Sequence, residues 1–150
     1  MRKAESMALR QNRAGSIVSM IALAIGWIGC GSRSDLASVR GKVTLDGQPL
    51  PGAFIVFAPT TKGTSSRGKT DSVGSYEMMF TDQEKGAWIG ENLVRINTGD
   101  VGPGGVWSKE SVPAAYNKNT TLKVEVKPGG NVFDFDLKSN AGKIESTPTE

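Results

Sequence analysis

The chain has 150 residues, enough for one domain, and contains 19 Gly, 7 Pro, a single Cys and no His. The formal net charge is +3, but four basic side chains precede the first apolar run, and from Gly31 onward 14 basic and 14 acidic side chains balance. These counts exclude an internal disulfide and every His-dependent catalytic pair, and without a concentrated basic face we expect no nucleic-acid partner.

The first 29 residues have the composition of a secretory signal. Ile17–Gly29 holds 13 residues without a charge, which is short of the ~20 that span a bilayer and typical of the apolar part of a signal peptide. It ends in Ile28-Gly29-Cys30-Gly31. This sequence resembles the lipobox of bacterial lipoproteins, although Trp27 stands where that family usually has an aliphatic residue. The resemblance implies that residues 1–29 are removed and that Cys30 is diacylated.

A lipidated Cys30 would anchor the protein to membrane lipid, because two acyl chains at ~0.8 kcal/mol per buried methylene bind stably where one does not. We therefore expect an exported lipoprotein attached to the bacterial cell envelope. The alternatives are an uncleaved signal anchor and an ordinary secretory signal with an incidental Cys. Residues 30–38 read as the lipidated Cys and a polar spacer without structure of its own.

The stretch from Val39 to Pro59 predicts the start of a β-domain. Val39, Val43 and Leu45 alternate with polar side chains, as in a strand with one buried face. Asp46-Gly47 predicts a tight turn, and Ala53–Ala58 is an apolar run that suits a strand covered on both faces.

Further strands are predicted downstream at short intervals. A turn at Asp71–Gly74 precedes alternating Tyr76, Met78 and Phe80, and Val94 and Ile96 point inward from the next strand. Thr121–Lys127 and Asn131–Leu137 alternate around Pro128-Gly129-Gly130, which predicts a hairpin. The sum is an all-β fold, a single antiparallel β-sandwich of about seven strands over residues 39–138, with a disordered polar tail over 139–150. Six aromatic side chains occupy strand positions: Phe54, Phe57, Tyr76, Phe80, Phe133 and Phe135.

Several motifs follow one another in an order that resembles a known family. They are Gly41-Lys42-Val43, the run from Asp46 to Ala53, the run from Lys69 to Tyr76, and the run from Gly90 to Ile96. Together they resemble the carboxypeptidase regulatory-like domain, a transthyretin-like (prealbumin-like) β-sandwich, and the closing segment is similar to small planctomycete-type lipoproteins. The resemblance implies an accessory domain without catalytic residues and without a cofactor.

Acidic side chains are the candidates for chemistry. Asp134 and Asp136 share a strand face, where they could bind calcium or act as an acid–base pair. A third, enzymatic hypothesis would recruit Asp134, Asp136 or Tyr116. Lys123 and Lys127 on the predicted hairpin partner favour a plain charge ladder instead. Aspartates in turns could also ligate calcium, but they usually cap their own backbone and no D-x-D-x-D spacing is present: Asp46, Asp71 and Asp82. We therefore predict no metal site and no catalytic residue.

Trp88 and Trp107 are the candidate ligand contacts, because both fall in Gly-rich connections rather than in strands. Such side chains can stack on sugar rings or bind a partner protein. They can equally plug the open ends of the sandwich, which is the interpretation that we favour. The sequence thus predicts a non-enzymatic, lipid-anchored structural or protein-interaction module of the envelope, with a carbohydrate- or peptide-binding module at these tryptophans as the alternative. An envelope protein or a polysaccharide would then be the partner.

Overall fold

The computed structural model describes residues 35–99 and 108–145. The predicted signal peptide, Cys30, Trp107 and the last five residues of the predicted tail lie outside the described residues. The described chain contains ten strands and one short 3₁₀ helix, Ala114–Tyr116. No helix in this part of the chain is long and apolar enough to cross a bilayer. The strands are β1 (Leu36–Leu45), β2 (Gln48–Pro49), β3 (Phe54–Pro59), β4 (Ser66–Lys69), β5 (Ser75–Glu77), β6 (Ala87–Trp88), β7 (Gly90–Asn97), β8 (Lys123–Val126), β9 (Gly130–Val132) and β10 (Phe135–Leu137).

Two sheets form a β-sandwich, which confirms the predicted fold class. The first sheet is built on β1, which pairs with β6, β5 and β2 as antiparallel partners. Its other two partners, β9 and β10, are parallel to it. The second sheet has the order β4-β3-β7-β8 and is antiparallel throughout. The strands are more numerous and shorter than predicted because one long β1 serves five short partners.

The core lies between the inner faces of the two sheets. Phe57 of β3 meets Phe135 of β10 edge to face, with ring centroids 6.3 Å apart, and Tyr76 of β5 stacks on Phe135 at 6.2 Å. Inward-pointing Val39, Val43, Val94 and Ile96 are fully buried, as their alternation predicts. Burial of each such side chain contributes roughly 1.5–3 kcal/mol.

The turn after β1 has the predicted geometry. Asp46 and Gly47 have φ angles of 51° and 80°, and Leu45 pairs directly with Gln48 across them. Positive φ at both central residues is the geometry of a two-residue hairpin turn whose twist matches the flanking strands. The turn therefore joins β1 to β2 within one sheet, after which the chain crosses to β3 in the other.

The predicted hairpin around Pro128-Gly129-Gly130 is wrong. β8 pairs with β7 in the second sheet, whereas β9 pairs with β1 in the first. The Asn131 side chain closes this turn by itself, accepting from Lys127 N at 2.9 Å and donating to Lys127 O at 2.8 Å. The chain therefore turns without β8 and β9 pairing with each other, and it passes from the second sheet to the first.

The boundaries of the domain extend past the predicted ones. β1 begins at Leu36, so the last three residues assigned to the spacer belong to the sheet, where Ala37 is buried and pairs with Ala87. At the other end, the predicted tail makes contacts before it leaves the described residues. Ala114 N donates to Lys143 O at 2.9 Å, and Lys118 Nζ lies 2.8 Å from Glu145 Oε2.

Candidate functional site

Trp88 is held in the wall of the sandwich near the start of β1. Its ring meets Phe80 edge to face at 6.0 Å, and Gly63 lies so close that a Cβ there would approach the indole to 2.9 Å. Trp88 Nε1 is buried and has no hydrogen-bond partner among the described residues. Trp88 lies on β6 and pairs with Leu36 of β1, so the prediction that it falls outside the strands is wrong. Part of its ring still faces a depression of about 490 Å³ lined by Asp35 and Lys62, so ligand contact at Trp88 stays a prediction.

Asp134 lies between β9 and β10, two of the strands that pair with β1, and its side chain continues the hydrogen bonding to β1 there. Phe133 O comes so close to β1 here that a Cβ on Gly41 would lie 1.8 Å from it. Asp134 Oδ1 accepts the backbone N–H of Lys42 at 2.8 Å, in place of a carbonyl. Tyr76 donates its hydroxyl to Phe133 O at 2.7 Å. These contacts give Asp134 a structural task and explain why only glycine fits at position 41.

Asp136 does not form the predicted ladder with the lysines of β8. Its Oδ1 accepts the Thr44 hydroxyl at 2.8 Å, and Lys138 Nζ lies 2.7 Å from its Oδ2. Lys138 and then Thr44 lower the pKa of this carboxyl by hydrogen bonding. Lys123 instead pairs with Glu91 of β7 at 3.0 Å. The ladder prediction is wrong because β8 and β10 lie in different sheets.

The other candidate acids cap local backbone or lie in exposed loops. Asp71 Oδ1 accepts from Val73 N and Ser75 N, both at 2.9 Å, which closes the predicted turn. Asp46 Oδ1 accepts Ser139 N at 3.0 Å. Hydrogen bonding by the side chain of Ser139, and then by its backbone, lowers the pKa of Asp46. Over 35–99 and 108–145, no three acidic side chains come together in a way that could hold a metal ion.

Tyr116, the third member of the enzymatic hypothesis, also contacts backbone. Its hydroxyl accepts the N–H of Lys138 at 3.1 Å, just beyond the end of β10. The hydroxyl therefore ties the 3₁₀ helix to the end of that strand. Lys138 thus links Tyr116 to Asp136, which binds its ammonium. Asp134 is not part of this network, because its carboxylate accepts the N–H of Lys42.

Glu110 is a buried acid that the sequence did not single out. Its side chain is 7% exposed, yet the carboxylate accepts five hydrogen bonds from described residues, at 2.8–3.3 Å. Burial by itself raises the pKa of Glu110, but the donors on Thr98, Val112 and Gly99 outweigh it and hold the pKa below its ordinary value. The carboxylate ties the end of β7 to residues 110–112. No sequence pattern marks it, since its donors on Thr98 and Gly99 lie 12 and 11 residues away along the chain.

A concave surface lies on the outer face of the second sheet. It is a groove of about 860 Å³ over β4, β3 and β7. Phe54 and Val56 form part of its floor and are half-buried, although they alternate with fully buried Ile55 and Phe57. The prediction that both faces of β3 are covered is therefore wrong, because its second apolar face opens to this groove.

Cations surround that floor. Val56 lies between Arg67 of β4 and Arg95 of β7 in the ladder. Phe54 lies beside Lys69, whose ammonium is 4.5 Å from the centre of the Phe54 ring. We call the depression lined by these five side chains the cationic groove. Neither the sign of this charge nor its clustering was predicted, because Arg95 of β7 is distant in sequence from Arg67 and Lys69 of β4 and only the pairing of both strands with β3 brings them together.

Comparisons with known proteins give distant likenesses in fold. No family model and no curated protein matches the chain. Among solved structures, the chain is similar to a DUF3823 family protein from Parabacteroides merdae ATCC 43184, with 16% identity and a TM-score of 0.38 over 69% of this chain. It is also similar to a 9R-lipoxygenase from Cyanothece PCC8801, with 15% identity and a TM-score of 0.38 over 69% of this chain. The chain spans 46% of the first protein and 16% of the second.

Proposed function

We propose that this protein is a lipid-anchored, non-enzymatic component of the bacterial cell envelope whose β-sandwich binds another envelope macromolecule. The apolar leader and the lipobox-like sequence at Cys30 support the anchor. The ordered motifs that resemble the carboxypeptidase regulatory-like, transthyretin-like domain support an accessory role for the sandwich. The proposed partners are membrane lipid through Cys30 and an envelope protein or a polysaccharide through the domain.

One observation carries the binding role. The cationic groove gathers apolar and positively charged side chains on an open face, whereas the acids that could perform acid–base chemistry hold backbone elsewhere. Asp71, Asp134 and Glu110 each accept backbone N–H groups. A surface with free charge and exposed apolar area is the usual composition of a binding site.

Photocrosslinking in the native envelope tests the binding role. A photoreactive amino acid is placed at Val56 in the groove, at Val73 in the turn before β5 or at Val132 on β9; the last two side chains are 58% and 60% exposed. We expect a discrete adduct of higher mass from at least one position. The absence of an adduct from all three positions, in cells that express the protein at its normal level, would contradict the proposal.

The anchor is tested separately by Cys30→Ser. We expect the variant to remain an unprocessed precursor or to leave the membrane fraction, because no thiol remains to be acylated. Metabolic labelling with an alkyne fatty acid should mark the wild type and not the variant. Unchanged processing, labelling and fractionation would show that Cys30 is not the anchor.

A binding site at Trp88 is the second candidate. The observation that favours it is the indole N–H of Trp88, which is buried without a partner beside the depression lined by Asp35 and Lys62. A ligand with an acceptor group could satisfy this donor. We expect oligosaccharides or peptides that bind there to change the tryptophan fluorescence of the wild type and not of Trp88→Phe. Equal responses from both proteins would exclude this site.

A further inference from the structure

We propose that the cationic groove binds an extended acidic segment of a partner protein. This inference rests on the proposed function and specifies both its site and the chemistry of its partner. Three features support it: the position of the cations, the shortage of acids among the described residues that could neutralise them, and the kind of apolar surface between them.

The sheet register fixes where the cations lie. Arg67 and Arg95 are the direct cross-strand neighbours of Val56, one on each side, so their Cα atoms are about 10 Å apart across two strand spacings. Lys69 lies two residues beyond Arg67 on β4, or about 7 Å along the strand. The groove therefore presents three positive side chains around a floor formed by two successive outward side chains of β3, Phe54 and Val56.

The described residues leave this charge largely uncompensated. Glu77 is the acid that lines the groove, and Lys85 Nζ already lies 2.7 Å from its Oε2. Arg67 and Arg95 form no salt bridge with any described residue. An anionic ligand would thus meet guanidinium groups whose donors are free for paired hydrogen bonds to carboxylates.

The apolar part of the groove favours a peptide over a glycan. Sugar rings bind to the open face of an aromatic side chain, but Lys69 already covers the ring of Phe54. The remaining lining includes Met79, and the combination of Arg, Met and Phe is enriched at protein–protein interfaces. Methionine side chains also adapt to the shape of a bound partner.

The backbone of β4 is unavailable for adding a strand, so the ligand must be held by its side chains. One edge of β4 pairs with β3. On the other edge, Arg67 exchanges two backbone hydrogen bonds with Met79, at 2.8 and 2.7 Å. In an extended peptide, side chains on one face repeat at about 7 Å, which matches the separation of Arg67 and Lys69 along β4. A segment with acids at alternate positions fits this spacing.

Fluorescence anisotropy with a defined probe tests the inference on the full-length protein in a neutral detergent. The probe is a labelled peptide of alternating Glu and Val, and the matched probe has Gln in place of each Glu. We expect binding of the acidic probe alone. Raising the ionic strength from about 0.05 M to about 0.3 M should weaken binding several-fold, because the contacts are exposed and screened by salt.

Paired variants locate the site. Arg67→Gln with Arg95→Gln should weaken binding of the acidic probe at least tenfold. The control is Arg40→Gln with Lys42→Gln, which removes the same charge from exposed positions on β1 in the other sheet, and it should bind like the wild type. Arg67→Lys with Arg95→Lys keeps the charge and should lose only part of the affinity. This result would show that the loss in the Gln variant follows from the missing charge and not from misfolding.

Three results of the binding assay would overturn the inference. The first is equal loss of affinity in the groove and control variants. The second is equal binding of the Glu and Gln probes. The third is displacement of the probe at lower concentration by polygalacturonate or by phosphatidylglycerol vesicles than by unlabelled acidic peptide, because the groove would then take a glycan or a lipid surface. A crosslinked adduct at Val73 or Val132 but none at Val56 would leave the proposed function standing and refute the groove alone.

Discussion

Replacing Glu110 by Gln removes a buried negative charge from a site built of hydrogen-bond donors. The carboxylate accepts Thr98 N at 3.0 Å, the Thr98 hydroxyl at 2.8 Å and Val112 N at 2.8 Å on one oxygen. The other oxygen accepts Gly99 N at 3.3 Å. A glutamine can keep one oxygen in place, but its amide nitrogen would then face the N–H of Gly99. Each bond to the remaining oxygen would also lose its charge assistance.

The expected cost of Glu110→Gln is about 3 kcal/mol in the free energy of unfolding. A hydrogen bond to a charged group contributes about 1.5–3 kcal/mol, and a buried donor left without a partner costs about 1–3 kcal/mol. For a domain of this size, 3 kcal/mol corresponds to a fall in Tm of about 10 °C. Glu125→Gln is the matched control, because Glu125 is exposed on β8, and it should change stability by less than about 0.5 kcal/mol.

The pH dependence of this stability difference distinguishes the contribution of the Glu110 charge from that of side-chain packing. The pKa of Glu110 is lowered in the folded protein, so its contribution is present above the ordinary pKa of 4.5 and is lost as the pH falls through the folded value. Urea unfolding should therefore show the full difference between wild type and Glu110→Gln at neutral pH and a smaller one near pH ~3. A difference that is absent at neutral pH, or that does not shrink in acid, would refute this account of the site.

Three further substitutions test the fold. Gly41→Ala should prevent folding or lower Tm severely, because a Cβ would lie 1.8 Å from Phe133 O, while Gly130→Ala, with open space around its Cα, should be tolerated in the same thermal melt. Tyr76→Phe should cost about 1 kcal/mol in urea unfolding by loss of its hydroxyl bond. Burial, with a smaller contribution from the charge of Asp134, raises the pKa of Tyr76, so the stability that this group provides should be lost above pH ~10. A wild-type absorbance titration in which Tyr76 ionises at its ordinary pKa would contradict its burial. Asp71→Ala should cost about 1 kcal/mol by opening the turn before β5, and an unchanged urea midpoint would contradict this role.

The local features of the fold could be predicted because short-range chemistry determines them. Alternation identifies the buried face of β1, and Asp46-Gly47 is recognisable as a turn since few residue pairs adopt positive φ readily. The strand with which each strand pairs could not be predicted from such local patterns. β8 and β9 alternate as the two halves of a hairpin would, yet they enter different sheets, since alternation reports a buried face and not which neighbour covers it.

The candidate site was harder to predict than the fold. Arg67, Arg95 and Val56 lie on three different strands, and their proximity follows only from the register of β3 with β4 and β7. Glu110 is a similar case, because its donors near Thr98 belong to another element. Trp88 was visible as an aromatic residue outside the long strands. Its close contact with Gly63 and Phe80 depends on how the chain returns to the start of β1.

Under the anchoring that we propose at Cys30, the pairing of β1 has a mechanical consequence. A pull from that anchor acts along the axis of β1, whose hydrogen bonds to β6, β5, β2, β9 and β10 run across it. Such a force shears many bonds at once instead of unzipping them one by one. Resistance to it is governed by the rate of forced unfolding and not by equilibrium stability. The strand nearest the tether is therefore the one best placed to withstand tension on it.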